Sequence, residues 1–301
     1  MLTPPYLKKG DKIGIVCTAR KVDRDDLEEG IALLEACGLE PVLGKTIGAS
    51  DDQYGGSDTL RAADLQAMLD DEEINAIWCA KGGYGTVRII DEINFYKFIK
   101  YPKWIIGYSD VTVLHSQIHK LGFETIHGVM PVGIGRNTAV AKQTLENAWF
   151  GKPVHYHIES APLNRLGTAK GELVGGNISI LYSLCGSHSA IDTTNKILFL
   201  EDLDEYLYHV DRMMVNLKRN GMLRNIRGLV VGGLTSMHDN STPFGKTAKE
   251  IVMDAVAEYD YPVCFDFPAG HLKDNRALIL GRSASLEVNE RGAKLYFDQL
   301  E

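Results

Sequence analysis

Apolar runs of strand length alternate with amphipathic stretches through the first 135 residues. Lys12 to Thr18 (KIGIVCT) is nearly all apolar, and Arg24 to Cys37 follows it at helical spacing, closed by Gly38. The alternation continues with a short strand at Glu40 to Leu43, a helix at Thr59 to Leu69 whose polar positions include Arg61, Asp64 and Gln66, and a strand at Ile74 to Ala80 (INAIWCA). The spacing predicts another helix from Thr86 to about Ile93, a strand at Lys103 to Gly107 (KWIIG) and a helix at Asp110 to Lys120, ended by Gly122. Such β-α alternation with short connections predicts an α/β domain, a parallel sheet covered by helices on both faces, with ligands gathering at the carboxyl ends of its strands.

The rhythm changes after about Gly135. Asn137 to Phe150 reads as a helix, and Gly151 to Lys170 carries prolines and histidines with few periodic apolar positions. Three regions follow: residues 1–135 as the first domain, 136–170 as a linker and 171–301 as the second domain. Strands are expected at Ile197 to Leu200 and Gly228 to Gly232, helices at His209 to Arg219 and Lys246 to Tyr259, and a β-rich stretch from Ala277 to Phe297. This half reads as mixed α/β, with a more antiparallel or partly barrel-like sheet.

Composition adds exclusions. A formal net charge of -8 with no basic patch argues against nucleic acid or an anionic membrane surface as partner. Residues 1–10 lack the apolar core of a signal peptide and no later run is long enough to span a bilayer, so a cytoplasmic location is expected. The cysteines Cys17, Cys37, Cys79, Cys185 and Cys264 are scattered, with no C-x-x-C pair, and read as small buried hydrophobes rather than disulfides or zinc ligands. No metal or cofactor is called for.

The chemistry-bearing signal is Gly107-Tyr108-Ser109-Asp110-Val111-Thr112, a serine where an apolar strand meets a helix. Such a serine is either a nucleophile raised on a sharp turn or a helix N-cap; the second glycine of G-x-S-x-G is missing. A serine nucleophile needs a base and a group that orients the base. His115 and His119 lack the glutamate of H-E-x-x-H and read as surface or core-edge residues, while His127 follows a short strand at the same sheet edge. His271 stands in a polar, turn-forming loop between apolar strands (FPAGHLKDN), a setting that often carries catalytic side chains. Lys196 to Asp202 (KILFLED) brings Glu201 and Asp202 off an apolar strand, with Glu205 a nearby competitor for the orienting role. Gly82 and Gly83, after the third strand, offer unobstructed backbone N–H groups for an oxyanion, and K-G-G-Y-G fits neither a phosphate-binding loop nor a dinucleotide fingerprint.

In this order the elements resemble the LD-carboxypeptidase family of serine peptidases across most of the chain. The resemblance is carried by Arg61-Ala62-Ala63-Asp64-Leu65, by Gly82-Gly83-Tyr84-Gly85 with Arg88, by the serine turn and by His127-Gly128. In the second half it is carried by Gly171-Glu172-Leu173-Val174-Gly175-Gly176-Asn177, by Leu200-Glu201-Asp202 with Asp211-Arg212, and by Gly270-His271 with Asn275 and Gly281. It implies a flavodoxin-like or Rossmann-like first domain, a second domain supplying acid and base, and a homodimer. It also implies a triad of Ser109, Glu201 and His271, with an oxyanion hole from the N–H groups of Gly83, preferred over Gly82, and Asp110. The implied reaction removes the terminal D-alanine of murein tetrapeptide in peptidoglycan recycling. Three departures touch the substrate pocket: Lys81 in place of an arginine, Cys17-Thr18-Ala19-Arg20 in place of a Pro-Ser pair, and Ala269 in place of an aromatic.

For the substrate's terminal carboxylate the sequence offers Arg88, Lys81 or Arg276. One rival reading is a peptidyl- or aminoacyl-adenylate hydrolase like the microcin C immunity protein, which calls for a second-domain aromatic to stack on adenine. Another, of a different class, is a non-catalytic small-molecule binding module, since a doubly wound scaffold does not fix function.

Overall fold

The computed structural model describes residues 1–298. From the N-terminus the chain alternates β1 (Lys12–Val16), α1 (Glu28–Ala36), β2 (Glu40–Leu43), α2 (Asp58–Asp70), β3 (Ile74–Cys79), α3 (Tyr96–Lys100), β4 (Trp104–Gly107), α4 (Thr112–Lys120) and β5 (Thr125–His127). It continues with α5 (Ala139–Trp149), β6 (His155–Glu159), β7 (Gly167–Asn177), α6 (Ile178–Leu184), β8 (Ile197–Leu203), α7 (Leu207–Arg219), β9 (Gly228–Thr235), α8 (Ala248–Ala255) and β10 (Val263–Cys264). Three strands close it, β11 (Leu278–Leu280), β12 (Ser283–Asn289) and β13 (Gly292–Phe297).

The first sheet has the order β11-β5-β4-β3-β1-β2. Strands β1 to β5 are all parallel, in the flavodoxin-like order 2-1-3-4-5, and the order reverses between β1 and β3. At such a reversal neighbouring loops diverge above the carboxyl ends of the strands and leave a crevice. β11 joins antiparallel to β5, so the C-terminal part of the chain adds an edge to the first sheet.

The second sheet runs β10-β9-β8-β7-β12-β13-β6. Its long β7 faces two ways: residues 167–172 pair antiparallel with β12, and residues 173–177 pair parallel with β8. The antiparallel character that the pattern suggested holds for β7-β12-β13-β6, while β10-β9-β8-β7 is parallel; the sheet is open, and no closed barrel exists among the described residues. Closure would need the outer strands to pair, and β10 and β6 lie at opposite ends while β11 has left for the other sheet. The stretch 151–170 holds β6 and the start of β7, both in this sheet. Its alternation is weak because β6 is an edge strand that buries little beyond Tyr156.

One apolar cluster runs from Ile13, Trp78 and Trp149 under the first sheet to Phe199, Phe267 and Leu286 of the second, so the two sheets share a core. Trp78, Trp104 and Trp149 are fully buried. Truncating one of them to alanine would cost roughly 3–5 kcal/mol through lost burial and the cavity left behind. Separate clusters cover the outer faces, one beneath α2 and α4 and one beneath α6, α7 and α8.

Tertiary contacts decide what the pattern leaves open in three places. Arg61 and Asp64, polar positions of α2, are both buried. The Arg61 guanidinium donates to the carbonyls of Thr18, Gly85 and Gly56, and the Asp64 carboxylate accepts the backbone N–H groups of Lys45 and Thr46. Both tie the helix to loops at the sheet's carboxyl edge. In place of a helix at 86–93 there are two 3-10 turns, Thr86–Arg88 and Ile90–Glu92, followed by the unforeseen α3. His115 and His119, expected at the surface or the core edge, are buried against the sheet.

Candidate active site

β4 ends at Gly107, and the chain turns through Tyr108 into a 3-10 turn at Ser109–Val111 that leads straight into α4. Ser109 sits at φ +64°, in the left-handed region that a non-glycine residue rarely adopts. Strain of this kind persists only where surrounding contacts fix it. Here the buried Asp110 carboxylate accepts the backbone N–H of Thr86 at 2.8 Å, and the Thr86 hydroxyl donates to Thr18 Oγ1 at 2.8 Å. The turn is thus braced against the loops after β1 and β3. Burial pushes the Asp110 carboxyl pKa upward against these hydrogen bonds.

The N-cap position of this turn is Tyr108 and not Ser109, so the serine hydroxyl does not serve as its cap. Its Oγ lies 3.2 Å from His271 Nε2. His271 Nδ1 donates to Glu201 Oε2 at 2.7 Å, and the same oxygen accepts the His271 backbone N–H at 3.1 Å. A carboxylate only accepts, so Nδ1 must carry the hydrogen and Nε2 presents its lone pair to the hydroxyl.

Glu201 is fully buried on β8, at a point where the ladder to β9 shifts register between Leu200 and Asp202. A shift there re-aims consecutive side chains, and Glu201 and Asp202 both turn toward the domain boundary. Asn177, at the end of β7, donates to Glu201 Oε1 at 3.3 Å and to Asp202 Oδ1 at 3.0 Å. The His271 loop is held by Asn275, whose Oδ1 accepts the Gly270 N–H at 2.8 Å. Gly270 itself, at φ +101°, leaves no room for a side chain: a Cβ there would stand 2.5 Å from Glu201 Oε2.

Burial is the largest influence on His271 and lowers its pKa, but the hydrogen bond and charge of Glu201, with Asp202 behind, outweigh it and the net shift is upward. Asp202 is pushed up to about 6 by burial and by the neighbouring Glu201 charge. Glu205, the competing carboxylate, is engaged with His209 Nδ1 at 2.5 Å and is not the partner of His271.

The glycine turn closes the other side. A Cβ at Gly82 would stand 2.9 Å from Ser109 Cβ, 3.1 Å from its Oγ and 3.5 Å from the Asp110 nitrogen. The absence of a side chain therefore leaves open a space bordered by the serine hydroxyl, the turn's backbone and the Asp110 amide. These groups face a cleft of about 440 Å³ between the domains, also lined by Arg20, Lys81, Met130, Ser179 and Asp204.

Of the histidines, only His271 reaches Ser109. His127 is fully buried one layer back, its ring 5.8 Å from Tyr108, and Tyr108 packs against His271 at 5.0 Å. His155, His157 and His188 are exposed elsewhere, and the exposed His238 bonds Asp204 at the cleft rim through Nε2 at 2.5 Å. Of the proposed carboxylate binders, Arg88 is paired with Asp58 and Arg276 with Asp274, while Lys81 lines the cleft. Arg20 and Asn177 were named in the sequence only as members of longer stretches, without roles of their own. The signal for Arg20 was its place just beyond β1, at the carboxyl edge of the sheet; Asn177 sat inside a recognised motif without a role.

A serine on a strand-to-helix turn, answered by an imidazole and a buried carboxylate, is the architecture of a serine hydrolase. Two family models match the chain, the LD-carboxypeptidase N-terminal domain over residues 13–128 and the LD-carboxypeptidase C-terminal domain over residues 170–286. The chain belongs to the LD-carboxypeptidase family of serine peptidases. A probable murein peptide carboxypeptidase of Bacillus subtilis is 35% identical over 296 residues, covering 96% of this chain and 93% of the relative. Among solved structures, a muramoyltetrapeptide carboxypeptidase from Oxalobacter formigenes superposes with a TM-score of 0.88 at 24% identity, covering 96% of this chain and 100% of the other. The microcin C7 self immunity protein MccF, in complex with aspartyl sulfamoyl adenosine, reaches a TM-score of 0.88 at 20% identity, with both chains covered in full. At these identities the two structures speak for the fold.

Proposed function

We propose that Ser109, Glu201 and His271 are the catalytic triad of a murein tetrapeptide carboxypeptidase that hydrolyses the L,D-peptide bond before the terminal D-alanine. The observation that carries this reading is the position of His271, 3.2 Å from Ser109 Oγ on one side and 2.7 Å from the buried Glu201 carboxylate on the other. His271 takes the Ser109 proton as the hydroxyl oxygen attacks the penultimate carbonyl. The backbone N–H groups of Gly83 and Asp110 hold the resulting oxyanion, and Glu201 stabilises the imidazolium. His271 then gives the proton to the departing D-alanine nitrogen, and water, activated by the same imidazole, releases the shortened peptide from Ser109.

The relative from Bacillus subtilis supports murein peptides as the substrate class, and peptidoglycan recycling in the cytoplasm is the process in which such a hydrolase would act. No helix among the described residues is long and apolar enough to cross a membrane. The working unit in this reading is a homodimer, checked by sedimentation equilibrium. An adenylate substrate would call for a stacking aromatic on the second-domain wall. The aromatic ring that lines the cleft is Tyr108, from the first domain, and the tryptophans are buried in the core.

Mass spectrometry of wild-type and Ser109→Ala protein incubated with murein tetrapeptide tests the proposal. Loss of one alanine with wild type alone is the expected result. Equal loss with both proteins would refute the serine mechanism, and binding without loss in either would favour the non-catalytic module.

A further inference from the structure

An enzyme that removes one C-terminal residue must hold a carboxylate a single residue beyond the scissile carbonyl, so the cation that binds it has to stand beside the nucleophile. Consecutive Cα atoms are about 3.8 Å apart, which leaves little latitude in its position. Two cations line the cleft, Arg20 and Lys81, both from loops at the carboxyl edge of the first sheet. The opposite wall carries the acids Asp202 and Asp204.

Arg20 is the better placed of the two. Its loop is anchored on both sides, by the Lys21 N–H on the Gln53 carbonyl at 3.0 Å and the Gly55 N–H on the Ala19 carbonyl at 3.0 Å. From there the side chain crosses the glycine turn: a Cβ at Gly83 would stand 2.6 Å from Arg20 Cγ and Cδ and 2.7 Å from its Nε. Gly83, at φ +113°, permits this approach, and the neighbouring Gly82 borders the Ser109 hydroxyl. Among the described residues, Arg20 and Lys81 enter no ion pair, whereas Arg61, Arg88, Arg276 and Arg282 are each paired with a carboxylate. An exposed guanidinium with no acid of its own, laid across the backbone beside the nucleophile, is suited to grip an incoming carboxylate with two parallel N–H bonds.

We propose that Arg20 binds the substrate's terminal carboxylate, with Lys81 adding a second positive charge, and that this pair sets the exopeptidase specificity of the site. The inference rests on the reading of Ser109 as the nucleophile of a carboxypeptidase. It fixes the direction of the substrate: the leaving residue lies along the first-domain wall, and the acyl portion along the wall of Asn177, Ser179 and Asp204.

The test compares murein tetrapeptide with its C-terminal carboxamide, using wild-type, Arg20→Gln and Arg20→Lys proteins, with kcat/KM read from alanine or alaninamide release. Charge-assisted bidentate hydrogen bonds predict that wild type favours the acid by about 10- to 100-fold. Arg20→Gln should lose that factor on the acid alone, bringing the two substrates close to parity, and Arg20→Lys should keep part of the preference. Undiminished preference for the acid in Arg20→Gln would overturn the clamp while leaving the triad standing. Loss of the preference in Lys81→Gln but not in Arg20→Gln would overturn it equally. Failure of the wild type to release alanine from either substrate would overturn both the clamp and the reading beneath it.

Discussion

The backbone N–H of Asn177 donates to Thr112 Oγ1 at 3.1 Å, joining the end of β7 to the first turn of the helix that leaves Ser109. The same residue's side-chain amide holds Glu201 and Asp202. The turn that carries Ser109, after a strand of the first sheet, and Glu201, on a strand of the second, are thus tied together through one residue.

Asn177→Ala leaves buried carboxylate oxygens short of a donor, which costs about 1–3 kcal/mol. The expected outcome is a fall in kcat that exceeds the effect on KM, with a lowered unfolding temperature. Thr112→Val, which removes only the inter-sheet acceptor, should show the same kinetic direction with a smaller loss. Steady-state kinetics and thermal unfolding on both variants check this; unchanged kcat in both would show that the link does not position the triad.

With His271 as the proposed general base, the pH dependence of the rate follows from its environment. A general base works in its neutral form, and Glu201 raises the His271 pKa above the ordinary 6.5 despite burial. Activity therefore falls as pH drops through that raised value. Glu201→Gln should move the acidic limb of kcat/KM to lower pH and reduce the plateau by about 10⁴-fold, the scale expected when a triad histidine loses its carboxylate. An acidic limb that stays in place would mean that another group governs it.

Gly270→Ala places a methyl group against the Glu201 carboxylate in a backbone conformation that L-residues avoid. Loss of most of the activity is expected, with Ser109 and its turn intact. A serine-directed probe such as a fluorophosphonate would then label the variant far more slowly than wild type, and labelling at the wild-type rate would contradict the steric argument.

Three buried histidines predict acid lability. Burial holds His115 at about 4 and keeps His119 and His127 well below 6.5. The unfolded chain takes up these protons first, so stability declines as pH falls from about 6.5 toward 4, by roughly 1.4 kcal/mol per pH unit for each group fully titrating only on unfolding. Asp202 and His271, both raised, act with the opposite sign and offset part of this decline: the stability each contributes is lost as pH rises. Thermal unfolding of wild type and His119→Gln across this window should show a flatter pH dependence in the variant, and parallel curves would exclude the mechanism for His119.

The sequence by itself determined the parallel first sheet and the serine turn, because buried strands such as β4 are written as short apolar runs and a strand-to-helix junction is a local event. It also marked Glu201 and His271, each by a short motif at the end of an apolar run. The tertiary structure alone decided that those two meet Ser109: 162 residues separate Ser109 from His271, and only the shared core of the two sheets brings them within 3.2 Å. It decided likewise that β11 leaves the C-terminal strands for the first sheet, that Arg61 and Asp64 turn inward to serve loop backbones, that Glu205 is taken by His209, and that Arg88 and Arg276 are engaged while Arg20 stands in the cleft. A polar residue's pattern position records its spacing along the chain, whereas its partners are set by whichever distant backbone or charge the fold delivers to it.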